Sequence, residues 1–240
     1  MRTTSLLVDG HTLIDAGTGV GDLSLRELAD IDRVFLTHSH LDHLAMLPLM
    51  LDSVGAMRSQ PLTVYALPQT LDVLRNHVFN WALWPDFTQI PSAASPYLRL
   101  ESIAVGDVCV LPGDVRLTVL PAEHTVPAVG YALTGACGQL VFTGDTYCNP
   151  ALWPLLNAMP ALKILIIETA FPNRERFLAD AAKHLCPSLL ASELAQLQGV
   201  PEIYITHLKP GDYERTMQEV LDNAARFSPK MLLQGQCFEL

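Results

Sequence analysis

The sequence predicts an α/β protein in which two β-sheets lie between layers of helices. Strand-like runs dominate the first part of the chain, whereas strands alternate with helices later, a pattern typical of layered folds. Half of the 240 residues are hydrophobic and only 17% are charged, which is enough to bury a large core. We expect a single domain over residues 1–240, because α/β folds of this length are often single units.

The first elements alternate with turns. Residues 5–8 and 12–15 are strand-like and flank Asp9-Gly10, which predicts a β-hairpin. Ser24 and Glu27 have the spacing of a capping box, which predicts a short helix over residues 24–29. A strand over residues 34–36 and a buried helix over 44–53 follow in order, and Pro48 indicates either an early-turn position or a kink in this helix.

The rest of the chain alternates more regularly, apart from residues 79–98. This segment is irregular and aromatic, and long loops of this kind are often lids or binding loops. Trp81, Trp84 and Phe87 could stack on a purine, but packing in a core or interface is the favoured interpretation. Strands are predicted over residues 62–66, 116–120, 129–133, 139–142, 163–168, 202–206 and 230–233, and helices over 68–77, 152–157, 174–183, 188–197 and 213–226.

The charge balance limits the classes of partner. With a net charge of -10 and a pI near 5.1, the protein is a poor generic partner for nucleic acid or an anionic membrane. A small anionic substrate remains compatible, because bound cations dominate the local field of a site. We therefore expect a small-molecule substrate, no membrane partner and no nucleic acid, and the sequence leaves the oligomeric state open, with a homodimer among the options.

The cysteines and the N-terminus point to a cytoplasmic protein. The five cysteines are scattered and form no CxxC pair, which is typical of reduced thiols. The first residues lack the apolar core of a signal peptide, and no apolar run approaches the roughly 20 residues that a membrane-spanning helix needs.

The densest motif is THSHLDH at residues 37–43, directly after an apolar strand-like run. Imidazole and carboxylate groups suit zinc, manganese or iron. Alternate side chains of an extended segment share a face, so His38 and His40 can bind one ion together. Asp42 and His43 follow where the chain should turn into a helix, so they can point at a second ion. The motif therefore predicts a metal site.

Three further candidate ligands each follow a predicted strand. His124, Asp145 and His207 come after the runs that end near residues 120, 142 and 206. Strand ends at one edge of a sheet are where α/β folds place their sites. Each residue alone is a weak signal, but the set is specific.

These seven residues match, in type and order, the HxHxDH…H…D…H pattern of the metallo-β-lactamase superfamily, and Asp15 matches its first, largely structural aspartate. The resemblance covers nearly the whole chain. It implies an αββα sandwich with two divalent ions at one edge, with zinc as the first expectation and manganese or iron as alternatives. It also implies the ligand sets: His38, His40 and His124 for one metal, Asp42, His43 and His207 for the other, and Asp145 bridging both.

The second half resembles the class II cyclic-nucleotide phosphodiesterases, in IETAFPNR at residues 167–174, KHL at 183–185 and ITHLKP at 205–210. The tRNA 3′-end endonucleases share a comparable pair at the positions of Glu168 and His184. Relatives usually begin with another strand and a glycine-rich turn before the point at which this chain starts. The resemblance therefore leaves open whether this sequence is truncated or begins at a wrong start, so that the first strand at the edge of the first sheet is absent from it.

These residues suit hydrolysis of a phosphodiester. Two ions roughly 3.5–4 Å apart can clamp the attacking and leaving oxygens, and a hydroxide that bridges them is the expected nucleophile. His184 is the candidate proton donor to the leaving sugar oxygen, with Glu168 orienting its ring, and Asp42 is also counted as catalytic. Lys209 could meet a substrate phosphate, but a lysine of this kind is more often a solvated surface charge. The expected reaction opens 3′,5′-cyclic nucleotides, cAMP or cGMP, to 5′-monophosphates.

Several alternatives stay open. Another hydrolase of this superfamily could act on a phosphodiester in RNA, on a lactone or on a thioester. The acidic charge and the lack of a basic arm count against tRNA, and Glu168 with His184 counts against lactones and thioesters. A metal-free scaffold without catalytic activity should have lost ligands, and all seven are present. A redox di-iron protein would carry glutamate where His40 stands.

Overall fold

The computed structural model describes residues 2–240, and the chain divides into two compact units, residues 1–104 and 105–240. Each unit has its own β-sheet and helices, which confirms the predicted α/β class. The expected single domain stays a prediction. Within the described residues, no helix combines the length and the apolar character that crossing a membrane requires.

The sheet of the first unit has the order β1-β2-β3-β4-β7. Strands β1 and β2 are antiparallel, whereas β2, β3, β4 and β7 run parallel to one another. The carboxyl ends of these four strands therefore lie at one edge. A two-stranded hairpin, β5 with β6, stands apart from it. The strands are β1 (Leu6–Val8), β2 (Thr12–Ile14), β3 (Arg33–Phe35), β4 (Leu62–Ala66), β5 (Pro91–Ser92), β6 (Ser95–Pro96) and β7 (Leu98–Ser102).

Among the described residues of this unit, four α-helices accompany the sheet, and a continuous apolar core lies between the helices and the sheet. Val34 and Val64 of the central strands are fully buried, as are Leu47 and Leu51 on one face of the longest helix. The predicted capping box is confirmed, because the Ser24 hydroxyl accepts a hydrogen bond from the Glu27 amide and the Glu27 carboxylate accepts one from the Ser24 amide. The helices are α1 (Leu25–Asp30), α2 (Leu41–Leu44), α3 (Met46–Val54) and α4 (Pro68–Val73), the last continuing as a π-helical turn over Leu74–Val78.

The sheet of the second unit has the order β14-β13-β12-β11-β10-β9-β8. Its strands are β8 (Val108–Val110), β9 (Arg116–Ala122), β10 (Ala128–Thr134), β11 (Gln139–Phe142), β12 (Leu162–Glu168), β13 (Glu202–Thr206) and β14 (Lys230–Met231). The strands from β11 to β14 are parallel. Strand β10 is antiparallel to both β9 and β11, so β9 points the same way as the parallel group. The carboxyl ends of β9, β11, β12 and β13 therefore lie at one edge.

The helices of the second unit pack on a separate apolar core. Leu165 and Ile205 of the central strands and Leu190 and Leu194 of one helix are fully buried in it. Its helices are α5 (Leu152–Asn157), α6 (Arg176–Ala182), α7 (Pro187–Leu194) and α8 (Tyr213–Asn223).

Most predicted elements are confirmed to within a few residues, but β5, β6, β7 and β8 are absent from the sequence-based prediction. The strands β5 and β6 are two residues long each and lie in the segment predicted to be irregular. The strands β7 and β8 are edge strands with largely exposed side chains, so neither carries a long apolar run. The alternation Leu98-Arg99-Leu100-Glu101 is a signal that could have identified β7.

The aromatic segment over residues 79–98 returns to the amino-terminal edge of the first sheet. Leu98 begins β7 opposite Leu62, the first residue of β4, and the Leu62 amide donates to the Tyr97 carbonyl at 2.9 Å. The candidate ligands that follow β3 lie at the carboxyl edge, which is the opposite end of the same sheet. Phe87 is buried and Trp84 packs on the core, as the packing interpretation predicts, whereas Trp81 is exposed. The segment is therefore placed badly for a lid over those ligands or for base stacking beside them.

Candidate functional site

The first unit gathers four candidate ligands where β3 ends and α2 begins. The ring centroids of His38 and His40 are 4.7 Å apart, and those of His38 and His43 are 4.2 Å apart. An Asp42 carboxylate oxygen lies 3.8 Å from His43 Nε2. His38 and His43 are buried, while His40 and Asp42 are half-buried. The extended stretch and the helical turn thus bring all four side chains to one place, as the motif predicts.

Asp15 holds Thr37 and His43 in place through hydrogen bonds. It is fully buried directly after β2, and its carboxylate accepts hydrogen bonds from the Thr37 amide (2.8 Å), the Thr37 hydroxyl (2.8 Å) and His43 Nδ1 (2.7 Å). Burial raises the pKa of Asp15, and the contacts with His43 and Thr37 act in the opposite direction. This is the structural role that the resemblance implies for Asp15, whereas sequence reasoning missed Thr37.

A glycine lets the backbone close around the same group. A Cβ at Gly17 would collide with the backbone oxygen of Asp42, so only glycine fits there. Two hydrogen bonds join this turn to α2 and α3: the Ala16 amide donates to the His43 carbonyl at 2.6 Å, and the Met46 amide donates to the Ala16 carbonyl at 2.9 Å. The turn after β2 therefore positions the helix that carries Asp42 and His43.

The second unit places its candidate residues at the carboxyl edge of its sheet. His124 follows β9, Asp145 follows β11, Glu168 ends β12 and His207 follows β13. His207 Nε2 lies 3.2 Å from an Asp145 carboxylate oxygen. One donor atom each from His124, Asp145 and His184 lies within 4.8 Å of the others, close enough to hold a metal ion. The strand order thus gathers residues that are far apart in sequence.

The end of α6 delivers two polar groups to this edge. Lys183 ends the helix in a left-handed conformation (φ 52°), and its carbonyl accepts a hydrogen bond from His124 Nδ1 at 3.0 Å. The next residue, His184, turns its ring toward the sheet, with its centroid 4.9 Å from that of His124 and 4.9 Å from that of His207. No sequence signal indicated the role of the Lys183 carbonyl.

Glu168 and His184 form a buried pair. His184 Nδ1 lies 2.7 Å from Glu168 Oε1, and the Glu168 carboxylate also accepts the amides of Thr146 (3.0 Å) and Leu185 (3.3 Å). Burial raises the pKa of Glu168 to about 7, although its hydrogen bond with His184 works against the rise. Burial alone would lower the pKa of His184, but the hydrogen bond and charge of Glu168 raise it overall. The protonation of each member of the pair therefore depends on the charge of the other.

The donor chemistry of both groups fits divalent metal ions. A carbonyl only accepts hydrogen bonds, so His124 carries its proton on Nδ1 and presents the Nε2 lone pair. His43 Nδ1 faces the Asp15 carboxylate, which favours the same tautomer. Histidines that bind metals usually have the other ring nitrogen held by a carboxylate or carbonyl in this way. The two histidines without a predicted role, His11 and His77, are exposed.

The support for His43 predicts an effect of Asp15→Asn. Asparagine offers one acceptor oxygen and adds an N–H₂ donor, so it cannot accept all three hydrogen bonds. We expect a loss of roughly 1–3 kcal/mol of unfolding free energy and about 10–100-fold weaker metal binding. Chemical denaturation and competition with a chromophoric chelator measure the two effects. Asp52→Asn, at an exposed position on α3, is the control, and equal metal affinity in both variants would contradict the role of Asp15.

Comparison with known proteins places the chain in a family. The model of the β-lactamase superfamily domain matches residues 11–208, a range that contains every candidate ligand. The structure of unliganded yeast PDE1 is similar, with a TM-score of 0.79 and 18% identity over 94% of this chain and 90% of that one. The predicted fold class is thereby confirmed.

Two curated relatives differ in name. One from Yersinia pestis, a probable 3′,5′-cyclic-nucleotide phosphodiesterase, is 30% identical over 75% of this chain, and the match spans only 57% of that protein's length. A ribonuclease Z from Bradyrhizobium diazoefficiens is 27% identical over 94% of this chain and 89% of that protein. Because of the similarity to ribonuclease Z, the expectation that nucleic acid is not a partner has no support from the comparisons. By the match of its sequence from residue 11 to residue 208, the chain belongs to the β-lactamase superfamily domain family.

Proposed function

We propose that the chain is a metal-dependent phosphodiesterase that hydrolyses 3′,5′-cyclic nucleotides to 5′-monophosphates. The observation that carries this proposal is the buried Glu168–His184 pair beside Asp145 and His124. A thioester expels a thiolate, which is a weaker base than a sugar alkoxide, so its leaving group needs a poised proton donor less than that of a sugar phosphodiester does. The similarity to the Yersinia pestis relative supports the nucleotide as substrate.

The proposal includes two divalent ions, zinc first, on the seven residues of the family pattern. His38, His40 and His124 would hold one, Asp42, His43 and His207 the other, and Asp145 both. When bound, such ions activate water and offset the negative charge that develops on the phosphoryl oxygens. Family membership and the donor chemistry described above support this assignment.

In the proposed reaction, the side chains of the chain orient groups and move one proton. The oxygen of water forms a bond to phosphorus and gives up one proton to solvent, while the bond from phosphorus to the leaving sugar oxygen breaks. His184 donates its Nε2 proton to that oxygen, because its Nδ1 faces Glu168. His184 takes a proton back from solvent after each turnover. Glu168 is a positioning residue that holds the ring in one orientation. Its two backbone hydrogen bonds, from Thr146 and Leu185, keep the carboxylate itself in place.

A second candidate is hydrolysis of a phosphodiester in RNA. It is favoured by the similarity to ribonuclease Z, which extends over nearly the full length of both proteins. The same buried pair would serve, since the leaving group is again a sugar oxygen. The net charge of -10 counts against a polyanionic substrate, so we rank this candidate second.

A substrate panel tests the proposal. We expect turnover of cAMP or cGMP that falls to background after metal is stripped by a chelator and returns when zinc, manganese or iron is added back. Elemental analysis should find close to two ions per chain in the active form. The panel also contains a precursor tRNA with a 3′ trailer, a lactone and a thioester. Cleavage of the RNA without turnover of any cyclic nucleotide would replace the first candidate by the second, and metal-independent turnover would contradict both.

A further inference from the structure

Lys209 is a charged residue at the carboxyl edge of the second sheet for which the reaction described above has no use. It follows β13 in the sequence His207-Leu208-Lys209, and its backbone amide donates to the Ala170 carbonyl at 3.2 Å. The residue is half-buried, and its Nζ lies 3.0 Å from His207 Nε2. The side chain therefore points along the edge toward the catalytic groups instead of into solvent.

Groups of both charges meet at His207. Asp145 Oδ2 lies 3.2 Å from the same Nε2 atom that Lys209 approaches, and the His184 ring stacks on the His207 ring at 4.9 Å. A metal ion on His207 Nε2, as proposed, would take the lone pair that the Lys209 ammonium faces here, so the ammonium would lose this acceptor. The ion and the ammonium would then be two positive charges close together in a partly buried site, where like charges repel. A bound anion would give the displaced ammonium a new partner.

We propose that Lys209 determines specificity by binding a non-bridging oxygen of an anionic phosphodiester. This inference deepens the proposed function and rests on it. The ammonium on one side of His207 and the His184 ring on its face would contact different oxygens of one phosphate, the first a non-bridging oxygen and the second the leaving oxygen. Neutral lactones and thioesters offer no such charge, so Lys209 would favour phosphodiesters over them.

The overall charge of the chain makes a local cation useful. A protein with a net charge of -10 repels an anionic substrate at a distance. A single ammonium held at the site offsets this repulsion where the phosphate binds, and a charge-assisted hydrogen bond is stronger than a neutral one. Removal of such a bond weakens binding by roughly 10–100-fold.

The test compares Lys209→Met, Lys209→Arg and wild-type protein, each loaded with metal and checked by elemental analysis. Methionine keeps the length of the side chain and removes its charge, whereas arginine keeps the charge. Lys163→Met is the matched control, because Lys163 is exposed at the opposite end of β12 from Glu168. Calorimetry measures the affinity for inorganic phosphate, and steady-state assays measure KM and kcat for bis(p-nitrophenyl) phosphate.

We expect Lys209→Met to bind phosphate at least about tenfold more weakly and to raise KM for the diester by a similar factor. Lys209→Arg should keep most of the affinity, and Lys163→Met should match the wild type. Unchanged phosphate affinity in Lys209→Met would overturn the inference even if the wild type is an active phosphodiesterase, and so would a loss of metal in this variant. If the wild type hydrolyses no phosphodiester, the proposed function fails, and the phosphate affinities still decide the role of Lys209.

Discussion

Replacement of His184 by alanine is expected to lower kcat for a cyclic nucleotide by roughly 10²–10⁴-fold, the usual contribution of a general acid. The reason is geometric. His184 Nδ1 lies 2.7 Å from Oε1 of the buried Glu168, and the ring stacks on His207. Water that replaces the ring in the variant would not be oriented in this way. Steady-state kinetics measure the loss, and His77→Ala, at an exposed position, is the control.

Metal content separates two roles that the geometry allows for His184. One ring nitrogen of His184 lies within 4.8 Å of one donor atom each of His124 and Asp145, a spacing that also suits a metal ligand. Elemental analysis of His184→Ala should find the wild-type amount of metal if the residue is a proton donor. Loss of one ion together with activity would assign it to the metal instead, and wild-type turnover would remove it from the mechanism.

The pH profile of Glu168→Gln distinguishes positioning from simple structural support. A general acid acts only while protonated, so the rate falls as pH rises through the pKa of His184. Because the hydrogen bond and charge of Glu168 raise this pKa, their loss should move the falling limb of the profile to lower pH. A variant that merely folds less well would lose rate at all pH values without moving the limb.

The candidate ligands could be predicted because they obey local rules. The spacing of His38 and His40 follows from the alternation of side chains in an extended segment. The positions of His124, Asp145 and His207 after strand-like runs follow from the preference of α/β folds for sites at strand ends. What the sequence could not supply is the order of the strands. That β9 points the same way as β11 depends on two antiparallel pairings with β10, which are contacts between distant residues.

The supporting contacts could not be predicted for a related reason. Thr37 and Asp15 are 22 residues apart, and their hydrogen bonds exist only because β2 and β3 pair in register. The contact of His124 with the Lys183 carbonyl spans 59 residues and requires a left-handed residue at the end of α6. A lysine is not a residue for which sequence predicts that conformation. For the aromatic segment over residues 79–98, the sequence suggested a lid or binding loop that the structure does not support. Its connection to β7 takes it to the amino-terminal edge of the first sheet, away from the ligands that follow β3.

Replacement of Asp145 by asparagine is expected to have the largest effect on metal binding. The residue is buried after β11, its carboxylate approaches His207 Nε2 at 3.2 Å, and it is proposed to contact both ions. Asparagine has nearly the same shape but carries no negative charge to offset two dications. Since loss of a supporting partner alone costs about 10–100-fold in metal affinity, loss of this ligand should exceed roughly 100-fold.

The consequences of Asp145→Asn should be separable from unfolding. Without metal, the buried Asp145 carboxylate carries a desolvation cost and is repelled by the Glu168 carboxylate, and asparagine avoids both, which offsets the lost contact with His207. The variant without metal should therefore be about as stable as the wild type without metal. Denaturation curves of both proteins in chelator measure this, while chelator competition measures the affinity of each site. Asp222→Asn, at an exposed position on α8, controls for the change in net charge. Because a bridging ligand serves both ions, the two affinities should fall together, and selective loss of one ion would show that Asp145 serves a single metal.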